Sequence, residues 1–464
     1  MFDKKNLTMP IRKNLLHECG RIVKIGTPIT IAQLLNMSMG VVDTVMTGNY
    51  SAEALAAVAG SNHILMPFLL FGVAVIGAGQ AITAQYLGAG SAKTEIGKVT
   101  IHAILIGFLY SLLLILFTKV APLVFPFFGF ESSVILLATN YLYAFSWGLP
   151  ATMIFVAFAG FYAGISKPMI TMLVSVLMLG VNIIGNYTLI FGHFGFPELG
   201  AEGAGWTSSL AAWSGALCIL LITFLHKNTK VFIQLKSVLK LEKYTFQQIL
   251  RIGVPSGFSS IFEVSMFAVF SLLMGRFGVN TLGGSQIALN CASIVFMVPL
   301  GLSFAITTNV GLYVGQKKYR EARVVGYAGY VVNGLFNLCS ATILIFFSFN
   351  IASFYTNDLE LARIAAGLIV FAGIFQLSDG IQVAGMGILR GYKDTKIPMI
   401  SNLISYWGIG MPLGYLLGFV FGYKAEGMWV GIIFGLTIAA VLHGLRFKIV
   451  SFRYIKTGPQ ALIR

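Results

Sequence analysis

The sequence has little charge and few acidic residues. Of its 464 residues, 10% are charged and 57% are hydrophobic, and the mean hydropathy is +0.85. Chains this apolar do not form ordinary soluble domains, so that class is excluded. Apolar runs of about 20 residues recur along the chain, which is the length that an α-helix needs to cross a bilayer. The composition therefore indicates a polytopic helical membrane protein.

The chain also lacks the usual signatures of metal sites and enzymes. Its four cysteines are widely separated, form no CxxC pair and have no histidine nearby at ligand spacing. It contains neither an HExxH zinc motif nor a GxxxxGKS/T phosphate loop, and the Gly77–Gly79 segment has no preceding strand that would make it a dinucleotide loop. We therefore expect no catalysis and no cofactor, and we interpret the cysteines as packing residues.

The apolar runs predict an all-α fold with twelve transmembrane helices. Because twelve is even, both chain termini should lie on the same side of the membrane. The predicted spans are residues 25–48, 54–85, 99–121, 133–162, 169–192, 202–226, 252–275, 282–313, 324–353, 361–389, 397–422 and 427–447.

Basic residues are distributed unevenly among the predicted loops. If the N-terminus is inside, the outside residues among the 31 Lys and Arg are only Lys119, Arg276, Arg363 and Lys424. This distribution follows the positive-inside rule, so we predict cytoplasmic termini in a bacterial cytoplasmic (inner) membrane. Orientation explains the net charge of +15 better than nucleic-acid binding, because the basic residues are spread over many loops.

The sequence contains two copies of one pattern. Residues that align at an offset of 227 include Gly26 with Gly253, Pro28 with Pro255, and Tyr86 with Tyr313. Six spans precede the second copy, so both copies enter the membrane from the same side as a parallel repeat. We predict two pseudo-symmetric six-helix lobes, residues 1–226 and 251–464 with a short cytoplasmic tail, joined by a basic cytoplasmic linker at 227–250.

Three carboxylates, Asp43, Glu263 and Asp379, lie in the interior of predicted spans. An ionised carboxylate at bilayer depth costs roughly 2.5 to 3.5 kcal/mol even on the lenient insertion scale. No Lys or Arg lies close to them in the same spans to form an ion pair, and the repeat mirrors none of them. They are therefore predicted to face a cavity and to hold a cation or a proton.

Polar side chains recur at helical spacing near these acids. Asn36 lies two turns before Asp43, Asn182 and Asn186 lie one turn apart, and Gln382 lies one turn after Asp379. These stripes are expected to converge on water-filled space. For the asparagines an equally good interpretation is structural, because amide hydrogen bonds between membrane helices contribute about 0.6 kcal/mol each.

The segments around the three acids resemble a known transporter family. GVVDTVMTG at 40–48, SSIFEVSMFAV at 259–269 and QLSDGIQVAGMGILRGYKDT at 376–395 are similar to the multidrug and toxic compound extrusion (MATE) family, and FPELG at 196–200 resembles its NorM branch. The resemblance covers essentially the whole chain. It implies a cation-coupled antiporter that exports organic cations by alternating access, with two six-helix lobes closing around a central cleft.

The resemblance also implies roles for individual residues. The coupling-cation site, which would bind Na⁺ or H⁺, is implied at Glu263, Asp379, Asn182 and Asn186. Glu263 and Asp379 would be the Na⁺ ligands, and the two asparagines would line the approach. Protonation of Asp43 would control bending of the first helix near Pro28.

A substrate cavity is expected from the resemblance and the polar stripes together. Its predicted lining residues are Asn36, Phe296, Phe375, Gln286, Asn290 and Gln382. This sequence departs from the family pattern at Phe375 and at Ser285, the residue before Gln286. Phe375 stands where relatives often carry tyrosine, which removes a hydroxyl ligand but leaves cation–π attraction. Ser285 stands where a histidine often precedes the glutamine.

The expected partners are small organic cations, Na⁺ or H⁺ and the lipid bilayer, and the expected assembly is a monomer. Buried carboxylates that cannot stay uncompensated would have to release one cation before carrying the other, which couples the two fluxes. The main alternative is a lipid-linked sugar flippase of the same superfamily, whose cavity would need a cluster of Arg and Lys. A membrane-embedded enzyme and a channel are further alternatives.

Overall fold

The computed structural model of the protein describes residues 9–233 and 242–458, and in these ranges the regular secondary structure is helical throughout. A two-turn helix, Ser348–Tyr355, a 3₁₀-helix, Ala121–Phe128, and a few single turns connect the longer elements. The long helices are α1 Met9–Tyr50, α2 Ala52–Gly88, α3 Lys93–Val120, α4 Ser132–Ser146, α5 Leu149–Gly164, α6 Met169–Leu189, α7 Ala201–Leu225, α8 Lys243–Met274, α9 Val279–Gly315, α10 Tyr319–Phe346, α11 Leu359–Gly391, α12 Lys396–Val420 and α13 Lys424–Thr457.

The predicted all-α fold with twelve spans is confirmed for the described ranges. Eleven helices are long and apolar enough to cross a membrane, and α4 with α5 forms a twelfth span bent by 47°. The bend falls beside Pro150, which lacks a backbone N–H donor and disfavours helical geometry in the residue before it. It also brings Gly148 against the backbone of Ser209, where a Cβ atom would collide.

Helix α12 is irregular. Residues Ile404–Gly410 and Leu416–Val420 are π-helical, and α-helix lies before and between them. Gly410 and Gly414 in this helix pack directly on the glycines Gly431 and Gly435 of α13, leaving no room for a Cβ atom on Gly431. Small residues allow membrane helices to approach this closely, because packing replaces the hydrophobic effect as the attractive force.

Helix contacts divide the chain into two compact units. The N-unit comprises Ile31–Leu87 and Ser91–Gly257, and the C-unit comprises the described residues up to Thr30, Gly88–Gly90 and those from Phe258 onward. The division falls inside α1 and α8 rather than in the linker. The lobes at 1–226 and 251–464 therefore remain a prediction from the repeat, and residues 234–241 of the predicted linker lie outside the described ranges.

Contacts inside the two units repeat each other. In the C-unit, Gly26 of α1 packs against Leu302 of α9, and in the N-unit Gly253 of α8 packs against Val75 of α2. Gly253 follows Gly26 by 227 positions, and Leu302 follows Val75 by the same number. The first part of α1 and the first part of α8 therefore occupy equivalent places, each in the unit opposite to the rest of its helix.

Candidate coupling-ion sites

Asp43 lies in the N-unit and accepts three hydrogen bonds from neutral side chains. Asn182 Nδ2 and Asn186 Nδ2 donate to its Oδ1 at 2.9 and 2.6 Å. Ser208 Oγ donates to its Oδ2 at 2.8 Å. Asp43 is only 6% exposed, so protein groups replace most of its hydration.

The geometry of this site follows from helix spacing. Asn182 and Asn186 are one turn apart on α6 and therefore face the same point on α1. Ser208 approaches from α7. A further polar pair is nearby, because Tyr141 feels the charge of Asp43 and donates from its hydroxyl to Asn62 Oδ1 at 3.1 Å.

Within the described ranges, the Asp43 carboxylate is hydrogen-bonded but is not neutralised by an ion pair. None of the ion pairs in the described parts of the chain involves Asp43. Hydrogen bonds from neutral donors stabilise the charged carboxylate but leave its net charge uncancelled. Asn186 Oδ1 is buried beside it without a hydrogen-bond partner among the described residues, so an oxygen ligand for a proton carrier or Na⁺ is available.

The structure corrects the predicted grouping of the asparagines. The sequence assigned Asn182 and Asn186 to a site with Glu263 and Asp379, but their amides bind Asp43. The reason is topological, because α6 and this part of α1 pack in the N-unit whereas Glu263 and Asp379 lie in the C-unit. The family motifs identified these residue types. Which acid the two asparagines bind depends on which helices pack together.

Glu263 and Asp379 lie close together in the C-unit, on α8 and α11. Asp379 is 2% exposed, and its charge and that of Glu263 repel each other. The fully buried Tyr406 of α12 feels both charges. Asp379 is buried and Glu263 is half-buried, and carboxylates that interact in such a site disfavour each other's ionisation, so a cation or a proton relieves the repulsion.

Phe375, one helical turn before Asp379 on α11, belongs to an aromatic cluster. Phe375 lies edge-to-face with Phe267 and Trp429, at centroid distances of 5.9 and 6.1 Å. Phe375 carries no hydroxyl, whereas Tyr406 of α12 has one and feels the charges of both acids. Gln382 Nε2 donates to that hydroxyl at 2.8 Å, which fixes its position.

The other predicted cavity residues differ in exposure and in hydrogen bonding. Gln286 and Asn290 are exposed, and Asn290 Oδ1 accepts a hydrogen bond from Tyr355 at 2.9 Å. Phe296 is half-buried, and Asn36 has a buried Oδ1 without a hydrogen-bond partner among the described residues.

Pro28 lies inside α1, which continues through it as a helix. It is about 22 Å along the axis from Asp43 at 1.5 Å per residue, and it falls in the C-unit part of the helix. Pro28 is therefore remote from the carboxylate that it was predicted to respond to, and any coupling between them must run along the helix.

Sequence reasoning missed Ser208 and Tyr406. Ser208 lies in a helix rich in Gly, Ala and Ser, where one hydroxyl gives no distinguishing signal. Tyr406 lies in the π-helical part of α12, where the residues that share a face differ from those of a regular helix. Among the described residues, no group of three or more His, Cys, Asp and Glu suits a transition metal.

Long apolar helices, a parallel repeat and buried carboxylates define the class as a secondary transporter. The model of the MatE family matches residues 28–188 and residues 255–416, once in each copy of the repeat. The chain belongs to the MatE family, whose members are transporters and not enzymes.

Relatives extend over nearly the whole chain. The probable multidrug resistance protein NorM of Shewanella oneidensis is 34% identical over 435 residues, covering 93% of this chain and 95% of its own. A probable multidrug resistance protein NorM of Bacillus cereus is 36% identical over 440 residues, with coverages of 94% and 96%. These relatives confirm the NorM-like resemblance and do not favour a flippase.

A solved structure shows the same fold. A mutant of the Vibrio cholerae MATE transporter VcmN superposes with a TM-score of 0.87 at 16% identity, covering 97% of this chain and 100% of that one. The twelve-helix, two-lobe architecture of the family is therefore the fold of this chain.

Proposed function

We propose that the protein is a multidrug efflux antiporter that exports small organic cations in exchange for Na⁺ or H⁺. The observation that carries the proposal is the Asp43 site, a buried carboxylate held by three neutral donors inside a transmembrane helix. Such a site binds a cation when the carboxylate is charged and releases it when a proton neutralises the group.

The acid pair of the C-unit supports the same function. Glu263 and Asp379 repel each other when both are ionised, so the site gains from one Na⁺ or one proton. An organic cation supplies the same compensation. Because the first cation already relieves the repulsion between the carboxylates, the second gains much less from the same site, so the two cations compete for it.

Energetics favour more than one coupling ion. A tenfold ion gradient supplies about 1.4 kcal/mol, so one ion exchanged for one monovalent drug sustains only about a tenfold drug gradient. A second ion adds its own gradient and about 2.3 kcal/mol per 100 mV of membrane potential. Carboxylates in both units provide places for two ions.

The test is export driven by each ion separately. Drug accumulation is measured in cells expressing wild type or Asp43→Asn, with external Na⁺ and pH varied independently. We expect Asp43→Asn to insert normally but to lose ion-driven export, because an amide cannot carry the charge. Glu53→Gln, which removes an exposed acid on α2, is the matched control and should export normally. Unchanged export and pH dependence in Asp43→Asn would refute the proposal.

Thermal unfolding identifies the coupling ion. If Na⁺ binds the folded protein, it raises stability by RT ln(1 + [Na⁺]/Kd), and Glu263→Gln should show much less of this protection. Stability that does not depend on Na⁺ at alkaline pH would point to protons.

The proposed setting is the cytoplasmic membrane of a bacterium, with a monomeric transporter and cytoplasmic termini. The unequal distribution of basic residues supports this orientation. A cysteine at the exposed Lys230, after α7, should react with a membrane-impermeant thiol reagent in inverted vesicles but not in intact cells. Labelling in intact cells would reverse the topology.

A further inference from the structure

A group of buried polar side chains lies in the C-unit between Asp379 and the loop that joins α11 to α12. We call this group the polar column. Helices α10 to α13 each contribute at least one member. The members are Tyr330, Asn333, Asn337, Gln382, Asn402, Tyr406 and His443.

The polar column is continuous with the acid pair. Its upper end is Asn337, which packs directly on Gly380, the residue after Asp379. One turn further along α11, Gln382 Nε2 donates to Tyr406, and the Gln382 carbonyl lies 3.3 Å from His443 Nδ1.

The lower end of the column lies near an ion pair. Tyr330 and His443 both contact Gly385, which leaves no space for a Cβ atom there. One turn after His443 on α13, Arg446 Nε donates to Asp394 Oδ2 at 2.6 Å. Asp394 belongs to the loop between α11 and α12, which the proposed topology places in the cytoplasm.

Several members of the column have unmet hydrogen-bonding groups. Asn333 is fully buried, and neither its Oδ1 nor its Nδ2 has a partner among the described residues, so exchanging the two atoms does not change the result. The side-chain oxygens of Asn337, Gln382 and Asn402 are also buried without a hydrogen-bond partner among the described residues. Buried polar groups in this number are normally satisfied by ordered water, which bridges two to four partners.

Among the described residues, the N-unit positions that correspond to Asn333 and Asn337 carry no amide. At the repeat offset of 227, Asn333 corresponds to Ile106, which packs in the apolar core of the N-unit. Asn337 corresponds to Tyr110, whose hydroxyl is bonded to the Phe68 carbonyl at 2.7 Å. The helix pair therefore packs without these amides, and their presence in the C-unit needs a reason other than packing.

We propose that the polar column holds a chain of ordered water that carries protons between Asp379 and the cytoplasm. The inference rests on the proposed antiport and adds a route for its proton. Asp379 passes its carboxyl proton to the first water, each water passes one proton on, and the last releases one to the cytoplasm. The carboxylate is left charged and the waters are unchanged.

Titratable groups stand at three levels of the route, and Tyr327 acts electrostatically on Tyr330. Glu263 and Tyr406 lie at its start, Tyr330 and His443 line its middle, and the Asp394–Arg446 pair lies at its end. His443 Nε2 is buried without a hydrogen-bond partner among the described residues, so it can bind a water of the route by a hydrogen bond.

X-ray radiolytic footprinting in lipid nanodiscs tests the water directly, because hydroxyl radicals formed from ordered water label adjacent side chains. Tyr406 and His443 should be labelled although both are 0% exposed. The equally buried Tyr162 and Met274, which lie outside the column, are the controls and should stay unlabelled. Labelling of Tyr406 and His443 no greater than that of the controls would overturn the proposal.

Asn333→Leu tests the route. The variant should lose labelling at His443 and slow substrate-induced proton release by about tenfold, as expected when one polar contact of a relay is removed, while drug affinity stays unchanged. Thr342→Val, at an exposed position on the same helix, should match wild type in both measurements. Unchanged proton release in Asn333→Leu would refute the route.

Footprinting does not depend on transport. Failure of the proposed antiport would therefore appear as labelled Tyr406 and His443 in a protein without ion-driven export. Failure of the column would appear as normal export with unlabelled side chains.

Discussion

The two units solve the problem of a buried carboxylate in different ways. In the N-unit, Asp43 is a single acid whose two oxygens accept hydrogen bonds from neutral donors, which stabilise its charge without cancelling it. In the C-unit, Glu263 and Asp379 oppose each other beside aromatic rings and a tyrosine hydroxyl. The first arrangement stabilises one charge, whereas the second requires a cation or a proton to relieve repulsion.

This difference indicates that the halves of the repeat have diverged in chemistry while keeping their packing. Contacts of Gly26 in one unit and Gly253 in the other are equivalent, but the acids are not. A transporter that needs two ions gains from two unlike sites, because one can stay charged while the other changes its occupancy.

The largest expected effect comes from variants that disrupt the Glu263–Asp379 pair of the C-unit. Glu263→Gln and Asp379→Asn should each abolish ion-driven export, because either change removes the repulsion that drives exchange. If the two residues act as one unit, the double variant should be no worse than either single one, since coupled residues are non-additive. Drug efflux from loaded cells measures this. Retained ion-driven efflux in both single variants would remove the C-unit site from the mechanism.

The next effect removes the donors of the N-unit site. Asn182→Leu and Asn186→Leu should each destabilise the protein by about 1–3 kcal/mol at neutral pH, because a buried carboxylate loses a donor. Ser208→Ala should cost about 1 kcal/mol. Thermal unfolding in detergent measures the losses.

A matched control exists on the same face of α6. Ser175 is fully buried, and its hydroxyl has no hydrogen-bond partner among the described residues. Ser175→Ala should therefore cost less than any of the three donor variants. Equal losses at all four positions would mean that the Asp43 hydrogen bonds contribute no specific stability.

A smaller effect concerns the hydroxyl beside the acid pair. Tyr406→Phe removes the group that Gln382 holds near Glu263 and Asp379, and ion affinity should fall by about fivefold, equivalent to ~1 kcal/mol. Phe375→Tyr alone should change little, because Tyr406 already supplies a hydroxyl. In the Tyr406→Phe background, Phe375→Tyr should restore part of the affinity measured by ion-dependent unfolding. No restoration would show that the two hydroxyl positions are not interchangeable.

The smallest expected effect comes from removing polar contacts near the beginning of α8 and in the first part of α1. Lys98 lies 2.6 Å from Glu242, and this ammonium group lowers the pKa of the Glu242 carboxyl below its usual value. The pair contributes at neutral pH, and its contribution is lost as pH falls through the lowered pKa. Glu242→Gln should remove this pH dependence from thermal unfolding while leaving export unchanged.

Glu18→Gln in the C-unit is the variant matched to Glu242→Gln. Glu18 accepts a hydrogen bond from Tyr313 at 2.6 Å, and in the N-unit the counterpart of that tyrosine, Tyr86, donates to Gln248 Oε1 at 3.4 Å. Glu18→Gln keeps an acceptor, so it should unfold like wild type near neutral pH. A larger loss from Glu18→Gln than from Glu242→Gln would reverse the ranking of the two contacts.

Much of the fold could be predicted from the sequence, because the cost of placing a side chain in a bilayer depends mainly on its own type and its neighbours in the chain. The lengths of the apolar runs predicted the twelve spans, and a fixed offset revealed the repeat. Asp43, Glu263 and Asp379 were identified because they are acidic residues within apolar spans. Each of these signals is local or periodic.

Only the tertiary structure decided which side chains meet. The sequence could not tell that Asn182 and Asn186 serve Asp43, since that depends on which helices pack together. It gave no sign of Ser208 or Tyr406, whose residue types are ordinary until packing brings them to a carboxylate. The division of α1 and α8 between the two units has the same origin, because a continuous helix carries no local mark of where its partners change.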